Sequence, residues 1–119
     1  MQDFRNLKVW AKAHQLTLNV YAATKDFPRD ETYGLRSRLR SASSSIGMNI
    51  AEGCGRNGDK EFGRFLHFSM GSASELEYQL LLAHDLGLIK EARFRALDKQ
   101  TAEIKKMLSA LLGKLRADS

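Results

Sequence analysis

Apolar side chains recur at steps of three and four residues through nearly the whole chain, and no segment shows the two-residue alternation of a half-buried strand. The breaks in this pattern coincide with turn-forming residues and divide the chain into four helices at about 6–25, 31–53, 59–86 and 91–115. The first helix carries one stripe of Leu7, Trp10, His14, Leu18 and Tyr21 and a second of Val9, Ala13, Leu16 and Val20. Phe27-Pro28-Arg29-Asp30 turns the chain, and Asp30 is the expected N-cap of the second helix. That helix buries Leu35, Leu39, Ala42, Ile46, Ile50 and Gly53, and its small-residue run Ser41–Gly47 lets a neighbour approach closely. Asp59 is the expected cap of the third helix, which turns Phe62, Phe65, Leu66, Ser69, Ala73, Leu76, Leu80 and Ala83 inward and stops at Gly87. The fourth shows a coiled-coil-like seam of Phe94, Leu97, Thr101, Ile104, Leu108, Leu111 and Leu115.

Short connections make consecutive helices antiparallel, so the expected fold is all-α: a single-domain, up-down-up-down four-helix bundle over residues 1–119. Met107, Leu112, Leu81, Leu82 and the second stripe of the first helix fall off the main seams. Such a surplus implies a wide core or a subunit interface.

Composition narrows the function. The longest apolar run, Leu80–Ala83, is far below the ~20 residues of a bilayer crossing, and the first residues lack a secretory apolar core, so a cytoplasmic protein is expected. Lysine and arginine total 19 against 14 acidic residues, a net charge of +5 that favours polyanionic partners. The single cysteine, Cys54, has no second thiol and reads as a small residue near a helix end.

No catalytic, metal or cofactor constellation emerges. His14, His67 and His84 are scattered, no Glu-x-x-His pair of a di-iron bundle occurs, and Arg64 and His67 are too close for the arginine–histidine spacing of helical toxin ribonucleases. The glycines around Cys54 join two helices and lack the strand and lysine of a phosphate loop. Asn49, Glu52 and Arg56, with Glu75 or Glu77 supplying opposite charge, form a candidate structural polar motif. Cations pair one turn apart at Lys8 and Lys12 and at Arg36 and Arg40, while Arg95, Lys99 and Lys106 share one side of the last helix. With Arg56, these eight are the candidate phosphate contacts; no recognition helix or base-stacking platform is legible.

Several motifs carry a resemblance. Leu7-Lys8-Val9-Trp10, Phe27-Pro28, Tyr33-Gly34-Leu35, Asn49-Ile50-Ala51-Glu52-Gly53-Cys54-Gly55-Arg56, Gly71-Ser72 with Glu75-Leu76-Glu77, and Leu86-Gly87 follow a known pattern over nearly the whole chain. Through them the chain resembles the bacterial four-helix bundle or 23S ribosomal RNA intervening-sequence proteins. The resemblance implies a four-helix bundle, a homopentameric barrel and no enzymatic activity. A related branch, the accessory variability determinant of diversity-generating retroelements, implies nucleic-acid binding through a basic surface and a reverse transcriptase as partner. Leu39-Arg40-Ser41-Ala42-Ser43 departs from the family pattern by one lost basic position. The function these readings favour is a non-enzymatic oligomeric scaffold or accessory factor that binds RNA or DNA phosphates. The alternative is a protein-binding adaptor with no nucleic acid.

Overall fold

The structure is a computed structural model and describes residues 2–31 and 34–118. Four helices account for most of them: α1 (Lys8–Thr24), α2 (Leu35–Cys54), α3 (Asp59–Asp85) and α4 (Glu91–Asp118). Single 3-10 turns at Phe4–Asn6 and Arg29–Glu31 precede α1 and α2, and no strand occurs among the described residues. Tyr33, part of one family motif, lies outside them.

Each helix packs on its chain neighbours, and α4 also closes onto α1, giving a square bundle without diagonal contacts. Side-chain bonds fix every pair as antiparallel. Thr17 of α1 meets Ser43 of α2, while Arg40 of α2 reaches Thr24 of α1. Ser69 and Ser72 of α3 meet Ile46 and Ser45 of α2. Lys105 and Glu91 of α4 meet Glu77 and His84 of α3, and Lys12 and Asn19 of α1 meet Glu103 and Gln100 of α4. A 28-residue helix is about 42 Å long at 1.5 Å per residue, which accounts for the 46 Å long axis of a body only 22 by 20 Å across.

The core alternates large and small side chains. Leu16, Leu39, Ile46, Ile50, Leu66, Leu76, Leu80, Ile104 and Leu108 are fully enclosed, with Ala13, Ala73 and Ala83 between them. The serine-rich run in α2 bonds to both of its neighbours. The Thr17 hydroxyl lies 3.0 Å from the Ser43 carbonyl oxygen, the Ser69 hydroxyl donates to the Ile46 carbonyl at 2.8 Å, and the Ser45 and Ser72 hydroxyls bond at 2.9 Å. Small residues admit these contacts; Thr17 and Ser69 are satisfied by the backbone they approach, and Ser45 and Ser72 by each other.

The structure corrects several sequence expectations. In α1 the core stripe is Val9, Ala13, Leu16 and Val20, and the other stripe is the surplus, with Leu18 50% and Tyr21 44% exposed. Leu112 belongs to the core and Leu111 and Leu115 to its margin, because a straight helix of 3.6 residues per turn drifts off a strict heptad seam. Neither aspartate is an N-cap. α2 starts at Leu35, where Glu31 Oε2 accepts the Leu35 amide at 2.8 Å, and α3 starts after Gly58, whose φ of 85° makes the turn, leaving Asp59 as the first helical residue. The stop at Gly87 agrees with the sequence: at φ 78° it lets the Leu88 amide bond the Ala83 carbonyl and its own amide the His84 carbonyl, a Schellman ending.

Candidate nucleic-acid interface

Charge is unevenly distributed around the square. α1 and α4 carry nine lysines and arginines against four acidic residues, whereas α2 and α3 carry five against six. Since α1 and α4 are neighbours, the positive excess of the helices lies on one pair. Five of the eight predicted cations belong to it: Lys8 and Lys12 on α1, and Arg95, Lys99 and Lys106 on α4, all exposed.

This face is built on a polar seam. Gln15 Nε2 donates to Asn19 Oδ1 at 3.0 Å, and Asn19 Nδ2 donates to Gln100 Oε1 at 3.2 Å, so amides rather than apolar side chains close the outer edge of the α1–α4 groove. Lys12 Nζ sits 2.6 Å from Glu103 Oε1, and Lys12, Lys99 and Glu103 line one shallow depression of about 240 Å³. The hydrogen bond and charge of Lys12, with a further contribution from Lys99, hold the Glu103 carboxyl below its ordinary range. Arg95 pairs with Glu91 at 3.4 Å across one helical turn. These pairs are exposed and weak, so an incoming phosphate competes with them readily.

The other three predicted cations do not join this face. Arg36 and Arg40 hold the C-terminal end of α1: Arg36 donates to the Thr24 and Phe27 carbonyls, and Arg40 donates to Thr24 Oγ1 at 2.9 Å while lying over the Tyr21 ring at 4.5 Å. Cations at carbonyls freed by a helix end satisfy those acceptors and oppose the helix dipole. Arg56 stands at the α2–α3 corner, 3.7 Å from Glu52 and over the Phe65 ring at 5.0 Å.

The polar motif is likewise dispersed. Asn49 donates to the Ser45 carbonyl and hydroxyl, Glu52 meets Arg56, and Glu77 accepts from Lys105 of α4 at 3.0 Å. Glu75 is exposed and forms no ion pair among the described residues, so neither Glu75 nor Glu77 pairs with Arg56. Side-chain direction around a helix separates residues that spacing alone puts together.

Cys54 is buried at the last position of α2, where burial first and then Asp3 raise its thiol pKa. His84 stacks on Phe94 at 4.4 Å with Nε2 2.6 Å from Glu91, tying α3 to α4. No group of three histidine, cysteine or acidic side chains able to hold a metal occurs among the described residues.

The sequence reading missed one feature. At the end of the bundle where α3 begins and α4 finishes, an open cleft of about 650 Å³ runs past Phe68, Leu112 and Leu115. Lys60, Arg64, His67 and Arg116 also line it. Phe65 and Phe68 meet edge to face at 5.4 Å, and the Arg64 guanidinium lies over both rings. The available signal was Phe68, three residues beyond Phe65 and off the buried stripe.

Fold and surface together define an all-helical, square four-helix bundle with one basic helix pair. The family model for the 23S rRNA-intervening sequence protein matches residues 5–110, and the chain belongs to that family. A crystal structure of a protein of unknown function from the S23 ribosomal protein family of Bacteroides thetaiotaomicron superposes with a TM-score of 0.79, at 20% identity over 87% of this chain and 97% of that one. It shares the fold. No match is found among curated proteins. No helix in the described residues is long and apolar enough to cross a membrane.

Proposed function

We propose that this protein is a non-enzymatic, oligomeric scaffold that binds RNA or DNA phosphates through the α1–α4 face. The observation that carries the reading is the charge excess of that helix pair, nine cations against four acids, although Lys105 turns to Glu77 of α3 and Arg116 to the α3–α4 cleft. Lysine and arginine at a solvated, polar-floored surface suit phosphate contacts that recognise charge and spacing with little sequence preference.

Oligomerisation supplies the reach that one subunit lacks. Met48 and Tyr78 are 67% and 63% exposed, and Leu18, Tyr21, Leu81 and Leu86 also project from the bundle. Apolar groups spread over several helices favour contacts between copies. In a homopentameric barrel each cationic stripe recurs five times, and the ring offers a backbone many weak contacts at once. A reverse transcriptase or another nucleoprotein component fits this role as the partner the scaffold positions. The same exposed side chains favour the second reading, an adaptor that docks a partner helix.

Fluorescence anisotropy with mixed-sequence RNA and DNA oligonucleotides at low salt, beside native mass spectrometry, tests the proposal. Binding by a species of five 13.4 kDa chains is expected. Absence of binding to either nucleic acid would leave the adaptor reading in place, and a monomer would remove the ring.

A further inference from the structure

We infer that the cleft between the start of α3 and the end of α4 receives an unpaired nucleobase stacked against Phe68, so the protein prefers single-stranded over duplex nucleic acid. This rests on the phosphate-binding reading above and adds a second element to it. A large aromatic ring at the surface loses apolar burial, yet Phe68 remains 45% exposed while Phe65, three residues earlier, is buried. Its ring is nonetheless held in place. Phe65 meets it at 89° with centroids 5.4 Å apart, and Arg64 covers both rings from 5.6 and 5.3 Å. An aromatic face with a guanidinium beside it is the surface on which bases stack without regard to identity.

The remaining walls fit the rest of a nucleotide. Leu112 and Leu115 continue the apolar floor, and Lys60, Arg64 and Arg116 bring positive charge to the same cleft. Of the two acids there, Asp59 and Glu61, the latter already lies 3.4 Å from Arg64. A volume of about 650 Å³ is within the usual range of small-ligand sites. The cleft shares α4 with the phosphate-binding face. Arg116 lies ten residues beyond Lys106 on α4, about 15 Å along the axis and turned toward α3, so a strand leaving Lys106 crosses the outer side of α4 to reach Phe68. A duplex has its bases paired and stacked internally and has none to offer.

The test measures binding of a mixed 12-nucleotide single strand and of its blunt duplex to the full chain and to Phe68→Leu, Phe68→Tyr and the double variant Lys99→Gln/Lys106→Gln. A strand carrying a single 2-aminopurine reports stacking by fluorescence quenching. Expected results are tighter binding of the single strand, a loss of about 5- to 100-fold for Phe68→Leu on that strand only, and near-complete rescue by Phe68→Tyr. Equal affinities of wild type and Phe68→Leu, with weaker binding by the lysine double variant, overturn the stacking site and leave the phosphate reading intact. A changed native mass for Phe68→Leu assigns the ring to a subunit contact and also overturns it. No binding by any form removes both.

Discussion

Gly53 is where the packing of α2 on α3 is most exacting, and replacing it separates helix propensity from close approach. A Cβ built there falls 3.0 Å from the Phe65 Cβ, 3.1 Å from Phe62 Cδ1 and 3.3 Å from the Phe62 carbonyl oxygen. Two of these atoms are main-chain or nearest to it and cannot rotate away, and the Phe62 ring is itself only 5% exposed. Gly71, inside α3, is the internal control, because an added Cβ meets nothing within 4 Å. Alanine there should stabilise by about 0.5–1 kcal/mol through helix propensity alone. At Gly53, the second-last residue of α2, that benefit is smaller, while overpacking costs about 1–3 kcal/mol. An unfolding entropy of about 2.1 cal/mol/K per residue makes 1 kcal/mol about 4 °C for 119 residues. Gly71→Ala should therefore melt about 2–4 °C higher, and Gly53→Ala below wild type by up to about 10 °C. Calorimetry at one fixed protein concentration reads both, which keeps the proposed assembly from shifting the comparison. A Gly53→Ala protein as stable as Gly71→Ala would refute the tight α2–α3 crossing.

Other predictions follow from single contacts. Arg36→Met should lower stability by about 1–3 kcal/mol, because the Thr24 and Phe27 carbonyls lose a charged donor; urea unfolding measures this, and affinity for nucleic acid should stay within about twofold. Glu103 has a lowered carboxyl pKa, so its pairing with Lys12 stabilises the fold above the ordinary value of 4.5 and is lost as pH falls through the depressed one. Lys12→Met should raise the titration midpoint of that carboxyl toward the ordinary value in a carbon-13 NMR titration, with Lys99 still holding it somewhat down; an unchanged midpoint would exclude Lys12 as the main cause. Cys54, 2% exposed with a raised thiol pKa, should resist a thiol reagent at pH 7 until denaturant is added, and rapid labelling of the native protein would contradict its burial.

Much of the fold was legible because periodicity reports burial directly. Every inward position named on α3 is buried, and Gly87 ends that helix with the backbone conformation that favours glycine. The helix starts were harder, since capping depends on where a side chain folds back: Glu31 supplies the acceptor that Asp30 was expected to provide. α1 was ambiguous for another reason. Its two apolar stripes have comparable content, and only the placement of α2 and α4 decides that Val9, Ala13, Leu16 and Val20 face inward. Of the cations, those on α4 were grouped by spacing along one helix, whereas the contacts of Arg36 and Arg40 depend on the end of a different helix. The Phe65–Phe68–Arg64 group was missed because only helix packing shows that the second ring remains outside.

The salt dependence of single-strand binding tests the central claim most directly. With about five phosphates held by Lys8, Lys12, Arg95, Lys99 and Lys106 in one subunit, log affinity against log salt should have a slope near −3.5 per engaged subunit, and Lys99→Gln/Lys106→Gln should reduce it to about −2 at unchanged native mass. A flat salt profile, or a double variant with the wild-type slope, would contradict the assignment of this face to nucleic acid.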